Sequence, residues 1–234
     1  ETFNAVTVSG VSVTLQDAMD VDGNLAVSGS AELIDSGQTI NAAGNVNFTG
    51  GDFTPTGTMV FDGTALQDVT GDGEGFNIVT VNGTDVRLVD GLDVNGTLSG
   101  GAGSALNVNG QTITAAADVN FTNITLSNLA TLTFDGAGTF TSAANTIPGP
   151  INVGSGASGG DLTLGDALDL DGSITAQSGG TTVLDLNSRT VNIAGNLDLG
   201  VLDTLSDTGG TSAIVFDGGG QTLTAPAAAH SFND

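Results

Sequence analysis

The chain has 234 residues and no cysteine, which excludes both a disulfide framework and a thiolate-based site. Only 2 Lys and Arg side chains stand against 26 Asp and Glu, and the formal net charge is −24. A surface of this sign repels nucleic acid and anionic lipid, and no apolar run approaches the about 20 residues that a membrane-spanning helix needs. We therefore expect neither nucleic-acid binding nor membrane insertion.

Short runs with apolar residues at every second position follow one another along the chain, a pattern typical of β-strands with one buried face. Early examples are residues 5–8, 11–15, 24–27 and 45–48. Later examples are residues 118–121, 161–164 and 196–199. Steps that contain Gly, Asn or Asp separate the runs. This composition predicts strands and turns with almost no helix.

The runs recur at a spacing close to 20 residues: Val27 follows Val8 by 19 residues, and Phe48 follows Val27 by 21. A coil of about 20 residues with two or three short strands is the unit of a parallel β-helix, in which stacking buries the inward side chains as one column. We therefore predict an all-β fold, a parallel β-helix that forms a single β-solenoid over residues 1–234. We expect it to be right-handed, because most parallel crossovers are. About 11 or 12 coils would give a rod of roughly 55 Å at ~4.8 Å per coil.

Several side chains have predicted places in this architecture. The predicted core aromatics are Phe48, Phe61, Phe121, Phe134 and Phe216. Three asparagines that precede equivalent strands are predicted to stack as a side-chain ladder: Asn24, Asn45 and Asn196.

A longer period is superimposed on the coil. Residues 19–23 (MDVDG) return 73 residues later at 92–96 (LDVNG), and again at 168–172 (LDLDG). This divides the chain into three long repeats, approximately 1–75, 76–149 and 150–234, of three to four coils each. Three β-sandwich domains of about 75 residues are the alternative, which the lack of Trp and Tyr and the 20-residue period disfavour.

Three segments carry a resemblance to a known class: residues 44–50 (GNVNFTG), 58–63 (TMVFDG) and 75–83 (GFNIVTVNG). They resemble the tandem repeats of bacterial surface and secreted β-solenoid proteins of the filamentous-haemagglutinin or autotransporter-adhesin type. The resemblance extends over nearly the whole chain. It implies an extracellular or cell-surface location and the role of a fibre or adhesin stalk, with a glycan or another cell-surface group as a further partner.

The two ends of the chain carry the same element of the long repeat. Residues 3–8 (FNAVTV) match residues 76–81 (FNIVTV), and residues 231–234 (SFND) begin that element again. Neither end has a recognisable polar or helical cap, so we predict an open filament in which the repeats of a longer tandem array, or separate subunits, stack head to tail. The predicted self-assembly residues are Phe3, Asn4, Val6, Val8, Phe232 and Asn233. Ends created where the segment was cut are the alternative.

The acidic motif of the long repeat supplies candidate metal ligands. Alternate residues of a strand project to the same side, so the two polar residues of each motif point together. The candidate ligands are Asp20, Asp22, Asp93, Asn95, Asp169 and Asp171. Stacked pairs would suit Ca²⁺, which takes several oxygen ligands. Solvated or turn-bonding Asp is the competing interpretation, because the spacing fits neither an EF-hand nor a Gly-Gly-x-Gly-x-Asp repeat.

We do not expect an enzyme, and no catalytic residue or other cofactor is predicted. A carbohydrate-directed module, either a polysaccharide lyase or hydrolase or a glycan-binding adhesin, is the alternative function. The chain offers no Lys, Trp or Tyr to hold a sugar, and its one histidine, His230, has no nucleophile motif near it. Arg87 and Arg189 are predicted to pair with nearby acids. Thr-x-Thr segments at 112–114 and 131–133 resemble ice-binding surfaces but are not expected to stack regularly.

Overall fold

The computed structural model describes residues 1–155 and 158–225, and in these the chain forms a β-solenoid of 33 short strands and about 11 coils. The described residues contain no helix, and therefore none long and apolar enough to cross a membrane. Adjacent strands are parallel, and their paired residues are 18 to 26 positions apart in sequence. The predicted parallel β-helix with coils of about 20 residues is confirmed.

Each coil has three strands, so strands three apart in sequence stack on the same face of the rod. Face 1 consists of β1 (Thr2–Phe3), β4 (Met19–Val21), β7 (Thr39–Ala42), β10 (Thr58–Phe61), β13 (Ile78–Val81), β16 (Leu98–Gly100), β19 (Val119–Asn120), β22 (Ala137–Thr141), β25 (Gly160–Leu164), β28 (Thr182–Asp185) and β31 (Thr204–Ser206). Face 2 consists of β2 (Val6–Ser9), β5 (Leu25–Ser28), β8 (Val46–Asn47), β11 (Gln67–Thr70), β14 (Val86–Leu88), β17 (Ser104–Asn107), β20 (Ile124–Ser127), β23 (Thr146–Ile147), β26 (Leu168–Leu170), β29 (Thr190–Ile193) and β32 (Ala213–Phe216). Face 3 consists of β3 (Ser12–Thr14), β6 (Glu32–Ile34), β9 (Asp52–Thr54), β12 (Gly75–Phe76), β15 (Leu92–Val94), β18 (Thr112–Ala115), β21 (Thr131–Phe134), β24 (Ile151–Val153), β27 (Ile174–Ala176), β30 (Leu197–Asp198) and β33 (Leu223–Thr224).

The inward side chains of the three faces form one apolar column that extends from Val8 to Leu202. Four of the five predicted core aromatics are fully buried there: Phe48, Phe61, Phe121 and Phe134. The prediction is wrong for Phe216, which lies in the last described coil and is 38% exposed. Its strand, β32, pairs with β29 on one side only within the described residues. Burial in a solenoid therefore depends on the presence of the next coil.

Polar side chains at the corners bond from one coil to the next. Asn45 N donates to Asn24 Oδ1 at 3.0 Å, and Asp68 N donates to Asn45 Oδ1 at 2.9 Å. Asn196 makes the same bond, accepting from Thr222 N at 2.8 Å, but it precedes β30 on face 3 whereas the other two asparagines precede strands of face 2. The predicted ladder is therefore correct for Asn24 and Asn45 and wrong for Asn196.

The 73-residue period corresponds to 11 strands. Residues 19–23 contain β4, residues 92–96 contain β15, and residues 168–172 contain β26. Eleven strands make three coils and two-thirds of a fourth, so each long repeat starts on a different face from the repeat before it. Matching residues of the three long repeats consequently lie on faces 1, 3 and 2, and they are not stacked above one another.

The glycine that ends the acidic motif is required by close approach of the preceding coil. A Cβ on Gly23 would lie 2.1 Å from Asn4 O, and one on Gly96 would lie 2.4 Å from Asn77 O. Gly172 is similarly close to the coil before it. Only glycine fits at such a contact, so part of the repeated motif has a packing cause.

Candidate functional site

The six candidate metal ligands are divided among three faces. Asp20 lies in β4 on face 1, Asp93 in β15 on face 3, and Asp169 in β26 on face 2. The residues that follow these strands are exposed: Asp22, Asn95 and Asp171. The structure therefore does not stack the three pairs. Within residues 1–155 and 158–225, no group of three or more acidic or histidine side chains lies close enough to hold an ion.

Two of these carboxylates bond to the neighbouring coil. Asp20 Oδ2 accepts a hydrogen bond from Thr2 Oγ1 at 3.2 Å, and Asp169 Oδ2 accepts one from Thr146 Oγ1 at 2.8 Å. Thr2 in β1 and Thr146 in β23 occupy matching positions 22 strands apart, whereas the matching residue in β12 is Gly75, which has no hydroxyl. The bond is therefore present in two of the three copies of the motif. Calcium binding at the motif stays a prediction.

Two matching carboxylates of the first and second long repeats contain a buried oxygen. Asp62 Oδ1 and Asp135 Oδ1 have no hydrogen-bond partner among the described residues. Burial raises the pKa of Asp62, and the negative charges of Asp20 and Asp22 raise it further. Burial, followed by the charge of Asp135, likewise raises the pKa of Asp93. A buried acceptor without a partner costs about 1–3 kcal/mol, so these acids lower the stability of the coils that hold them.

The third long repeat contains a carboxylate whose pKa is lowered rather than raised, Asp207. Backbone N–H groups of Ser212 and Ser188 donate to the Asp207 carboxylate and lower its pKa to about 2. The bonds from Ser212 N and Ser188 N are both 2.8 Å long. Asp207 therefore holds the corner of its coil together as an ionised turn residue.

One of the two arginines has the predicted acidic partner. Arg87 Nε donates to Asp68 Oδ1 at 2.8 Å, and its second nitrogen donates to Asp68 Oδ2 at 2.9 Å. Arg189 forms no ion pair with a side chain in the described part of the chain. His230 lies outside the described residues. Arg87 is thus engaged with the preceding coil of face 2.

A shallow groove with a volume of about 240 Å³ opens on face 3. Its lining residues are Thr114, Thr133, Asn152, Gly154, Ser155 and Gln177. Thr112–114 and Thr131–133 pair in register on adjacent strands, contrary to the expectation that these segments do not stack. Asn152 Nδ2 donates to Thr133 Oγ1 at 3.4 Å, and the lining contains hydroxyl and amide groups but no charged side chain.

The first and last described coils expose aromatic side chains that the inner coils bury. Phe3 is 39% exposed, whereas the matching Phe76 is fully buried. Phe216 is 38% exposed, whereas the matching Phe61 and Phe134 are fully buried. The same positions of the repeat are therefore covered in the inner coils and exposed in the first and last described coils.

Four of the six predicted self-assembly residues lie in the first coil: Phe3, Asn4, Val6 and Val8. Phe232 and Asn233 lie outside the described residues. We define the first-coil surface as Phe3, Val6 and Leu15, with the buried Val8 beneath them, and the last-coil surface as Ile214, Phe216 and Leu223. Sequence reasoning missed Leu15, Ile214 and Leu223, and it placed Phe216 in the core. Matching these residues to the inner strands of the neighbouring long repeat, Leu15 to Leu88, Ile214 to Leu132 and Leu223 to Phe140, would have identified them.

Comparisons of the chain with protein-family models, with curated proteins and with solved structures return no match. The coils and their surfaces are accordingly the basis for assigning a function.

Proposed function

We propose that this chain forms the shaft of an extracellular filament or cell-surface fibre in which repeats or subunits stack head to tail. The observation that carries the proposal is the exposure of Phe3 and Phe216 at 39% and 38%, at positions that are fully buried inside the rod. A further coil placed on either surface would bury these rings as the inner coils bury their counterparts. The partner is a second copy of the chain or a further repeat.

Backbone hydrogen bonds parallel to the rod axis suit this mechanical role. Most successive coils are joined by a parallel ladder on each of three faces, and β10 pairs with β13 over four residues. About 11 coils at ~4.8 Å give a rod of roughly 53 Å per chain. A force along the axis would act on these ladders and on the apolar column together. The mechanical strength of the rod therefore needs no specialised residue.

The exterior charge explains how such fibres would stay apart. A net charge of −24 on one chain repels neighbouring rods over about 10 Å at ~0.1 M salt. The end surfaces themselves are apolar, so end-to-end contact is favoured over side-by-side contact. The extracellular location rests on the resemblance of the repeats to those of bacterial surface β-solenoid proteins.

Electron microscopy and light scattering of the purified chain test the filament. We expect unbranched rods of variable length whose mean length increases with protein concentration. We also expect longer rods when salt rises from about 20 to about 200 mM, because screening weakens repulsion between like-charged copies. A monodisperse monomer at every concentration and salt level would reject the proposal for assembled subunits.

A pair of variants separates end contact from general surface apolarity. Phe216→Asp should leave the chain folded but monomeric, because it places a charge on the last-coil surface. Val89→Asp is the matched control, since Val89 is 43% exposed on the side of the rod. It should form filaments like the unchanged chain. Equal loss of filaments in both variants would assign assembly to lateral contacts.

Glycan binding is the second candidate, and the face-3 groove is the observation that favours it. Thr114 and Gln177 contribute a hydroxyl and an amide to the lining of this groove. Neutral hydroxyl and amide groups suit a neutral sugar, whereas the lining lacks the acid pair that glycoside cleavage uses. Gln177→Ala should abolish the binding of a neutral glycan found on an array, and an array without hits would remove this candidate.

A further inference from the structure

The chain contains two internal joins between long repeats, and both are built the same way. At the first join β10 pairs with β13 and β11 pairs with β14. At the second join β21 pairs with β24 and β22 pairs with β25. The third neighbouring pair, β9 with β12 or β20 with β23, forms no strand ladder in the described chain. Two adjacent ladders therefore define each join.

A side chain takes the place of the missing ladder in both joins. Glu74 Oε2 accepts from Phe53 N at 3.1 Å, and Asn145 Nδ2 donates to Phe121 O at 3.3 Å. Glu74 and Asn145 precede the matching strands β12 and β23 by the same number of residues. Each join thus has one side-chain contact near its missing ladder, an acceptor at the first join and a donor at the second.

The inward residues at both joins are large and apolar. In the first ladder Phe61 lies opposite Val81, and Phe134 lies opposite Val153. In the second ladder the opposing pairs are Val69 with Leu88 and Phe140 with Leu164. All eight of these side chains are buried. Each join is therefore an aromatic or aliphatic contact that excludes water.

The last coil repeats one half of this join, and the first coil repeats the other half. β32 and β33 match β10 and β11, because they lie 22 strands further along. β2 and β3 match β13 and β14, because they lie 11 strands earlier. The 33 strands make 11 whole coils, which places β2 and β32 on face 2 and β3 and β33 on face 3. A second copy would therefore continue faces 2 and 3 without rotation.

We propose that a second copy stacks its β2 on β32 and its β3 on β33 in the register of the internal joins. Val8 then lies opposite Phe216, and Leu15 lies opposite Leu223. This inference rests on the proposed filament and specifies the one register of its subunit contact. None of the four strands contains a charged residue, so the contact sets no like charges opposite each other despite the acidity of the chain.

Because the chain has no cysteine, introduced thiols report this register directly. The outward pair of the proposed ladder is Thr7 opposite Val215, about 4.8 Å apart between neighbouring strands, which is within the range of a disulfide. We therefore propose to oxidise Thr7→Cys/Val215→Cys filaments and separate the products on a non-reducing denaturing gel. A ladder of covalent dimers, trimers and longer products is expected, while either single variant should give dimers at most.

Two further pairs control the geometry. Thr133→Cys/Asn152→Cys occupies the matching positions at the second internal join and should form an intramolecular disulfide. Thr7→Cys/Ala213→Cys is displaced by two residues and should react at least tenfold more slowly. Faster reaction of the displaced pair, or monomers only while the internal pair oxidises, would overturn the register even if filaments form. Absence of filaments from the unchanged chain would instead reject the proposed function.

Discussion

Phe61, Phe134 and Phe216 occupy the same position in the three long repeats, yet only Phe216 is exposed. β13 stacks on the strand that contains Phe61, and β24 stacks on the strand that contains Phe134. No further strand of the described chain stacks on β32. The local sequence is almost the same in each case, an aromatic residue followed by Asp and Gly. The difference shows that an inward side chain becomes part of the core mainly when the next coil covers it.

The largest expected effect follows from this difference. Phe61→Ala should lower the free energy of unfolding by about 3–5 kcal/mol, because it leaves a cavity in a fully buried column. Phe216→Ala should cost less than half of that amount, because its ring already contacts water. Urea unfolding followed by circular dichroism, at a protein concentration too low for filaments, measures both. Equal losses would mean that Phe216 is covered in solution.

The following aspartates extend the comparison to charged groups. Asp62 and Asp135 each have a buried oxygen without a partner, whereas the matching Asp217 is exposed. Asp62→Asn and Asp135→Asn should therefore each raise stability by about 1 kcal/mol at neutral pH, since they remove a poorly solvated charge. Asp217→Asn should have no measurable effect. Destabilisation by the first two variants would indicate that their carboxylates have a partner in solution.

The pH dependence of the Asp62 variant gives a sharper test. The pKa of Asp62 in the folded chain is raised, so its ionised form is penalised above that pKa. As pH falls through the folded pKa, the carboxyl takes up a proton in the folded state first, and the penalty disappears. The advantage of Asp62→Asn over the unchanged chain should therefore be greatest at pH 7 and shrink towards pH 4. A constant difference would assign the effect to packing.

Local patterns in the sequence predict the coil well. Strands such as Val46–Asn47 and the burial of Phe48 follow from alternation, because a strand shows one face to the core wherever it lies in the rod. The ladder between Asn24 and Asn45 follows from their spacing of about one coil. These features depend only on adjacent coils, so residues about 20 positions apart carry enough information.

The arrangement of the long repeats could not be predicted in this way. The repeated motif at Asp20, Asp93 and Asp169 suggests stacked carboxylates, but stacking requires the period to be a whole number of coils. The bends at the corners set the number of strands per coil at three. The spacing of the motifs does not reveal that number. Eleven strands per repeat then rotate each copy to another face. Because of the same rotation, the sequence pattern did not show which strands would stack on the first-coil and last-coil surfaces.

The smallest expected effect concerns calcium and follows from that rotation. Asp20 with Asp22 supplies two carboxylates at one point of face 1, and no matching pair lies above or below them. Two carboxylates are few for Ca²⁺, which takes six to eight oxygen ligands. We expect Ca²⁺ and Mg²⁺ at equal concentration to raise the melting temperature by amounts that differ by less than about 1 °C, because both act by screening the negative surface. A larger shift with Ca²⁺ that Asp22→Asn abolishes would establish a specific site, because screening does not depend on one exposed carboxylate among 26 acids.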